Sequence, residues 1–271
     1  MADKIRADVA LVRQGSCVSR ERAQAAIMEG RVFIGEKRIN KPSDPVSGED
    51  ILILKAAKTS YVSRGALKLE KAIRVFRADL DGRVIMDIGA STGGFTDVCL
   101  CCGAKKVYSI DVGYGQLDWK LRNDPRVIVM ERTNARYLEP EMFSERPSVT
   151  VMDVSFISIR LILPVAARIM GSGGIFYTLI KPQFEAGREK VGKNGVVRDP
   201  STHEDVINTI IEYADSIDLQ VCAIDYSPIT GPKGNIEFLA EIREKQSTGR
   251  IVSREDVRLA VEEAHRRMND Q

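Results

Sequence analysis

Seven short apolar runs dominate the second part of this 271-residue sequence and restrict its fold more than any other feature. They read VIMDIGA, KVYSIDVG, VIVMERTNA, SVTVMDVSF, GGIFYTLIKP, LQVCAIDYS and IEFLAEI. Segments of helical periodicity separate the earlier runs, and this alternation predicts an α/β fold with a mostly parallel sheet and helices on both faces. Because ligands of such folds bind at the carboxyl ends of the strands, polar residues at those ends are candidate site residues.

The first run leads into an unusual loop, DIGASTGGFTD at 87–97, with three glycines and four small or hydroxyl residues in eight positions. Its spacing differs from the G-x-G-x-x-G of dinucleotide-binding folds. An acid followed by closely approaching backbone suits a ligand with an ammonium and a carboxylate, such as the amino-acid end of S-adenosylmethionine. The alternative for the acid is a helix cap. The predicted contacts are Asp87, Gly89, Ala90, Ser91, Gly93, Gly94 and Phe95.

Polar residues also end the next two runs. Asp111 ends the second run, 24 residues after Asp87, where an acid accepts hydrogen bonds from ribose hydroxyls. Asn134 ends the third run, where its amide is expected to face an adenine. The loop and these two side chains together favour S-adenosylmethionine over a nicotinamide dinucleotide as the cofactor.

Four charged residues lie beside apolar runs, where long charged side chains rarely occur without partners. Lys68 is predicted on a short helix before the sheet, Asp153 ends the fourth strand, and Lys181 ends the fifth. Glu237 stands at the start of a late strand. Asp153 is also a predicted cofactor contact.

Two lysines and two carboxylates suit methylation of a ribose 2′-hydroxyl, a weak acid that must lose its proton as the methyl carbon arrives. A lysine can act as the base if burial or a nearby cation lowers its pKa. We expect Lys181 to be this base and Lys68 to supply the neighbouring positive charge. Asp153 and Glu237 are expected to hold the two amines.

Residues 1–58 read as a separate small α+β module. IRADVALVRQG places Ile5, Val9 and Val12 at helical spacing, SRERAQAAIMEG predicts a second helix, and RVFIGEKRIN predicts a hairpin. Residues 1–77 carry 16 Lys/Arg and 9 Asp/Glu, a net charge of +7. Arginine donates paired hydrogen bonds to phosphate, so the basic front end favours RNA, although an ordinary solvated surface is the alternative. The predicted RNA-binding residues are Arg6, Arg13, Ser19, Arg20, Arg22, Arg31, Lys37 and Arg64.

The motifs resemble known families. R-x-D-x-x-L at 6–11, SR-x-x-A-x-x-x-I-x-x-G-x-V at 19–32 and KPS at 41–43 resemble the S4-type RNA-binding domain. YVSRGALKLE, DIGASTGGFTD, DVSFIS, LIKPQFE, GVVRD and IEFLAEI resemble the FtsJ-like 2′-O-methyltransferases, and the whole layout resembles their TlyA branch, often labelled haemolysin A.

The resemblance implies a Rossmann-like methyltransferase fold with a seven-stranded sheet. It implies a catalytic tetrad at Lys68, Asp153, Lys181 and Glu237, and S-adenosylmethionine as cofactor. It also implies a cytidine 2′-hydroxyl as target, with ribosomal RNA or ribosomal subunits as partners. No metal and no protein partner are expected. The expected boundaries are 1–58 for the RNA-binding domain, 59–62 for a linker, 63–245 for the methyltransferase domain and 246–271 for a C-terminal helix.

Three rival functions remain: membrane damage, a non-catalytic role in RNA binding or ribosome assembly, and nicotinamide-dependent oxidoreduction. No apolar run reaches the roughly 18 residues of a membrane span, no signal peptide is seen, and the five cysteines show no disulfide framework. A cytoplasmic protein is therefore expected. The long loop at 181–200 is expected either to cover bound RNA or to be an ordinary surface loop. His203 and His265 are expected at the surface.

Overall fold

The structure is a computed structural model and describes residues 4–17, 19–28, 30–55, 61–245 and 251–269. The chain divides into two compact units, 1–60 and 61–271. The boundary falls inside the expected 59–62 linker, of which residues 59 and 60 lie outside the described part.

The described residues of the first unit form two short helices and five short strands. Its helices are α1 (Ala7–Arg13) and α2 (Arg20–Met28), and its strands are β1 (Lys4–Arg6), β2 (Val32–Ile34), β3 (Lys37–Arg38), β4 (Pro45–Ser47) and β5 (Leu52–Leu54). Strand β1 pairs with β4, and β2 lies between β3 and β5, all antiparallel. The predicted second helix and hairpin are both confirmed.

The predicted apolar face of α1 is partly wrong: Ile5 and Val12 pack, partly buried, against the core of this unit, but Val9 is not among its residues. Ile5 belongs to β1, so α1 begins only at Ala7. The helix turns Ala7, Ala10 and Leu11 into the core of this unit, together with Ala23 and Ile27 of α2. Val32, Val46 and Leu52 of the strands complete this core.

The second unit contains one seven-stranded sheet. Its strands are β6 (Val84–Ile88), β7 (Lys106–Ile110), β8 (Val127–Met130), β9 (Val149–Met152), β10 (Ile175–Ile180), β11 (Leu219–Tyr226) and β12 (Phe238–Glu244). Their order is β11-β12-β10-β9-β6-β7-β8. Strands β6 to β10 pair in parallel, whereas β12 is antiparallel to both of its neighbours. All seven predicted strands are present.

Helices cover both faces of this sheet. They are α3 (Ala66–Phe76), α4 (Gly94–Cys101), α5 (Trp119–Arg122), α6 (Leu163–Met170), α7 (Pro182–Glu185), α8 (Pro200–Ser216) and α9 (Arg254–Asn269). Residues of α3, α4 and α5 share one apolar cluster with the sheet, and residues of α6, α8 and α9 share the other. Across the described ranges, no helix is long and apolar enough to cross a membrane.

Chain order reverses between β6 and β9, because β7 and β8 extend the sheet on one side and β9 and β10 on the other. Such a switch point opens a crevice at the carboxyl ends of the strands. Gly89 follows β6 there, and a Cβ atom at Gly89 would lie 2.7 Å from the carbonyl oxygen of Asp153, which follows β9. The crevice therefore begins at this close backbone approach.

Candidate active site

Four charged side chains converge at the carboxyl edge of the sheet. The Lys68 Nζ atom lies 2.6 Å from Glu237 Oε2 and 3.1 Å from Asp153 Oδ2. The Lys181 Nζ atom lies 2.6 Å from Asp153 Oδ1 and donates a hydrogen bond of 2.9 Å to Ser155 Oγ. The contact of Lys181 with Asp153 is a close ion pair rather than an aligned hydrogen bond. Asp153 thus bridges the two lysines.

The sheet topology explains this convergence. Asp153 and Lys181 each come one residue after a parallel strand, β9 and β10, whose ends meet at the same edge. Glu237 comes one residue before β12, which runs antiparallel and pairs Phe238 with Ile180. The start of β12 therefore lies beside the end of β10. Lys68 reaches the same point from α3, whose apolar residues pack against the sheet.

Three of the four side chains are almost fully withdrawn from water, with Lys68 and Lys181 each 7% exposed and Glu237 1% exposed, whereas the Asp153 side chain is 18% exposed. Burial alone would lower the pKa of Lys68, but the carboxylates of Asp153 and Glu237 outweigh it and raise that pKa. Burial likewise would raise the pKa of Asp153, but the charges of Lys181 and Lys68 outweigh it and lower that pKa. Lys68 and Asp153 are therefore both charged at neutral pH.

Two adjoining cavities surround this cluster. The larger, about 580 Å³, is lined by all four charged side chains and by part of the glycine loop. The smaller, about 340 Å³, is lined by Asp111 and Asn134. Both cavities include Gly89, Ser91 and Asp153 in their walls, so one ligand can extend across the two.

Most of the predicted cofactor contacts line these cavities. Gly89, Ala90, Ser91, Gly94 and Phe95 belong to the wall of the larger one. The Asp111 carboxylate accepts hydrogen bonds from the amides of Ser91 and Gly113, at 2.8 and 2.7 Å, and so fixes the loop against β7. Asn134 caps a short turn by accepting from the amide of Arg136 at 3.0 Å.

Asp87 and Gly93 line neither cavity. The Asp87 side chain is fully buried beneath the loop and accepts a hydrogen bond of 2.6 Å from Thr96 Oγ1 of α4. Burial raises the pKa of Asp87 to about 7. A Cβ atom at Gly93 would collide with Leu121 and Leu117. Asp87 and Gly93 therefore support the loop from the side that packs on the protein core. The sequence had predicted direct contact of both residues with the ligand.

The predicted RNA-binding residues of the first unit differ in their contacts. Arg6 and Arg20 both bond the buried Asp8, at 3.0 and 3.2 Å, and these hydrogen bonds hold the pKa of that carboxyl well below its usual range. Ser19 caps α2 by accepting from the Arg22 amide. The side chains of Arg13, Arg22 and Lys37 are exposed.

The remaining two predicted RNA-binding residues donate to backbone carbonyls. Arg31 is half-buried and donates to the carbonyl oxygen of Lys55 at 3.3 Å. Arg64, in the second unit, is exposed and donates to the carbonyl oxygen of Thr230 at 3.3 Å.

The expectation that His203 and His265 lie at the surface is wrong for His203, which is fully buried. Its Nδ1 lies 3.0 Å from His265 Nε2, and its Nε2 lies 3.2 Å from the carbonyl oxygen of Val197. Burial lowers the pKa of His203 to about 4, so its imidazole is neutral at pH 7. Within the described residues, no group of three or more His, Cys, Asp or Glu could hold a metal ion.

Sequence reasoning missed an exposed aromatic ring at the mouth of both cavities. Phe156 is 91% exposed, has a left-handed φ of 65°, and lies 5.2 Å from the ring of Phe184. An exposed ring of this kind can stack on an unpaired base. Its position three residues after Asp153 was the available signal, since a strand end beside a charged cluster seldom exposes a phenylalanine without a ligand.

Comparison with known proteins agrees with this geometry. The model of the FtsJ-like methyltransferase family matches residues 61–243, and that of the S4 domain matches residues 5–52. The Bacillus subtilis protein YqxC is 46% identical over 270 residues, covering 98% of this chain and 96% of that protein. The Mycobacterium tuberculosis protein named 16S/23S rRNA (cytidine-2′-O)-methyltransferase TlyA is 41% identical over 265 residues, covering 97% and 98%.

Among solved structures, a hemolysin-named protein of Streptococcus thermophilus superposes with a TM-score of 0.75 and 46% identity. The match covers 100% of this chain and 98% of that one. The two family models confirm the predicted methyltransferase fold and the S4-type domain before it.

Proposed function

This chain belongs to the family of FtsJ-like methyltransferases, and we propose that it methylates the 2′-hydroxyl of a cytidine in ribosomal RNA. S-adenosylmethionine is the proposed methyl donor. The choice of cytidine follows the name of the Mycobacterium tuberculosis relative. We assign RNA binding to residues 1–58, a linker to 59–62, catalysis to 63–245 and a supporting helix to 246–271.

The observation that carries this proposal is the cluster of Lys68, Asp153, Lys181 and Glu237, called the four-charge cluster below. It lies at the wall shared by the two cavities. Asp153 contacts both lysines and lines both cavities. A methyl donor in the smaller cavity and a ribose in the larger one would therefore meet beside Asp153. Methyl transfer needs such alignment, because the reacting atoms must approach in line.

The residues around the smaller cavity fit S-adenosylmethionine. Asp111 presents a carboxylate to the wall, as ribose hydroxyls require. Gly89 also lines this cavity, and without a Cβ atom its backbone can lie directly against the carbonyl oxygen of Asp153. When bound, S-adenosylmethionine supplies an electrophilic methyl carbon attached to a good leaving group.

Lys181 is the proposed general base. Its Nζ atom must be neutral when it takes the proton of the ribose hydroxyl, and Ser155 and Asp153 hold it in place. Lys68 remains a cation, since its two carboxylate partners favour the charged amine. Glu237 fixes Lys68 through an ion pair of 2.6 Å.

The first unit is proposed to hold structured RNA. Its S4 match and its arginine-rich composition both suit contact with the RNA backbone. Phe156 is proposed to stack on a base next to the reacting ribose. Such contacts would position the RNA without reading its sequence in detail.

Transfer of labelled methyl from S-adenosylmethionine to purified ribosomal subunits tests the proposed function. The label is expected on a ribose 2′-oxygen of a cytidine, located by mapping the modified RNA. Binding of S-adenosylmethionine but not NAD is expected in a parallel titration. Methyl label on a base would contradict the proposal. Absence of label from free RNA, from both subunits and from whole ribosomes would also contradict it.

A further inference from the structure

Part of the wall of the larger cavity is built from a segment outside the sheet. We call residues 191–197 the strap; it leads to α8, and Val191 and Gly195 line the cavity. The strap forms its own turn, in which the Gly192 amide donates to Val196 and the Gly195 amide donates to Gly192. That turn alone does not attach the strap to the rest of the domain.

Asn235 makes that attachment with both atoms of its amide. Its Oδ1 accepts from the Val197 amide at 3.0 Å, and its Nδ2 donates to the carbonyl oxygen of Gly195 at 2.9 Å. The side chain is 3% exposed and itself lines the cavity. A residue at this position must provide one acceptor and one donor at fixed spacing; an ionised aspartate lacks the donor, and alanine lacks both.

Asn235 also belongs to the turn that carries Glu237. Its carbonyl oxygen accepts from the Gly231 amide at 2.9 Å. A Cβ atom at Gly231 would lie 2.7 Å from Glu237 Oε1, so this turn packs tightly against the carboxylate. Asn235 therefore connects the strap with the turn that packs against Glu237 of the four-charge cluster.

A second anchor holds the strap from the opposite side. His203 of α8 bonds the carbonyl oxygen of Val197, and His265 of α9 supports His203. The amide and the carbonyl of Val197 are thus both fixed, one by Asn235 and one by His203. Val197 itself is only 2% exposed, so the end of the strap is built into the domain.

Resting on the function proposed above, we infer that Asn235 is a positioning residue for methyl transfer. It holds the strap as the wall against which the target nucleotide lies, and it holds Glu237 at a fixed distance from that wall. Asn235 lines the larger cavity and not the smaller one, in which the methyl donor is proposed to bind. Its loss should therefore impair the use of RNA while the affinity for S-adenosylmethionine survives.

Asn235→Asp is the test, with Asn123→Asp as its matched control. Asn123 also donates its amide to a backbone carbonyl, that of Trp119, but it is exposed and lines neither cavity. For Asn235→Asp, kcat/KM for RNA should fall by about tenfold or more while the dissociation constant of S-adenosylmethionine stays within about twofold. Hydrogen exchange at the Val197 amide, measured without any ligand, should accelerate by about tenfold.

Gly195→Ala provides an independent variant. Gly195 has a φ of +73°, which an alanine adopts only with strain, and an added Cβ atom would approach nothing closer than Lys233 Nζ at 3.5 Å. The same loss in the use of RNA is expected, with Asn235 intact. Because Gly195→Ala introduces no carboxylate, it tests the shape of the strap without the buried charge that Asn235→Asp adds.

The inference is overturned if exchange at Val197 is unchanged, or if it accelerates while kcat/KM for RNA stays at the control value. A parallel fall in affinity for S-adenosylmethionine also overturns it, because Asn235 would then support the cofactor site or the fold. A wild-type protein that transfers no methyl to RNA contradicts the proposed function instead. The exchange measurement still reports on the strap in that case.

Discussion

Lys68 and Glu237 are 169 positions apart in the sequence, yet Lys68 Nζ lies 2.6 Å from Glu237 Oε2 in a buried ion pair. The pair exists because β12 enters the sheet antiparallel to β10 and so begins where the parallel strands end. A purely parallel seventh strand would have placed Glu237 at the opposite edge. The reversed strand is thus what completes the four-charge cluster.

Glu237→Gln should reduce both catalysis and stability. The substitution keeps the shape of the side chain but leaves Lys68 with Asp153 as its one remaining carboxylate partner among the described residues. Breaking a buried ion pair costs about 3 kcal/mol of unfolding free energy. We expect kcat to fall by about tenfold to a hundredfold because Lys68 and Asp153 lose their fixed geometry. Steady-state kinetics and urea unfolding measure the two effects.

Glu244→Gln is the control for this variant, since Glu244 lies on the same strand but bonds Ser172 and Gly173 away from the cavities. If Glu237→Gln matches this control in kcat, Glu237 has no part in the reaction.

The His203–His265 pair should make the protein less stable in weak acid. The folded-state pKa of His203, about 4, lies below the unfolded value of about 6.5. Between these values the unfolded chain binds the additional proton, so the unfolding free energy falls as pH falls from 6.5 towards 4. The contribution is at most about 1.4 kcal/mol per pH unit.

His203→Asn should lose this component, so its unfolding free energy should drop less than that of the wild type between pH 7 and pH 5. Urea unfolding at the two pH values measures the difference. Equal drops in both proteins would show that His203 titrates normally when folded.

Exposed basic residues of the first unit should contribute to the salt dependence of RNA binding. Arg13, Arg22 and Lys37 are exposed. Arg6 and Arg20 are exposed as well, but their guanidinium groups bond the Asp8 carboxylate. Replacing these three by glutamine should weaken RNA binding. The slope of log K against log salt should become shallower by about 0.7 to 0.9 for each phosphate that the variant no longer neutralises. Affinity for S-adenosylmethionine should not change.

Arg258→Gln is the matched control, because Arg258 pairs with Glu255 and Glu262 on the surface of α9. If the triple variant shows the same slope of log K against log salt as the wild type, these three residues do not belong to the RNA-binding surface.

The sheet could be predicted from sequence because each strand is a short apolar run and the helices between them force parallel pairing. The meeting of Asp153 and Lys181 followed from the same rule, since both end parallel strands. The place of Glu237 was harder, because sequence does not reveal the direction of the last strand. For that residue the resemblance to a known family supplied what the local pattern could not.

Other features depend on tertiary packing that no local pattern contains. Asp87 lies inside β6, where the side chain points to one face of the sheet or the other, and the structure turns it towards Thr96. His203 finds its partner 62 residues later, on α9. Asn235 fixes a strap 38 to 40 residues earlier in the chain. Each residue looks ordinary in the sequence until the fold brings its partner close.

The most direct test of the central claim is methyl transfer by Lys181→Ala, measured in a single turnover with bound S-adenosylmethionine and saturating ribosomal subunits. Loss of a general base should slow the transfer by about a hundredfold or more, while calorimetry shows wild-type affinity for S-adenosylmethionine. Lys245→Ala, which removes an exposed lysine paired with Asp215 away from both cavities, should transfer at the wild-type rate. Transfer by Lys181→Ala at the rate of that control would contradict the proposed chemistry of the four-charge cluster.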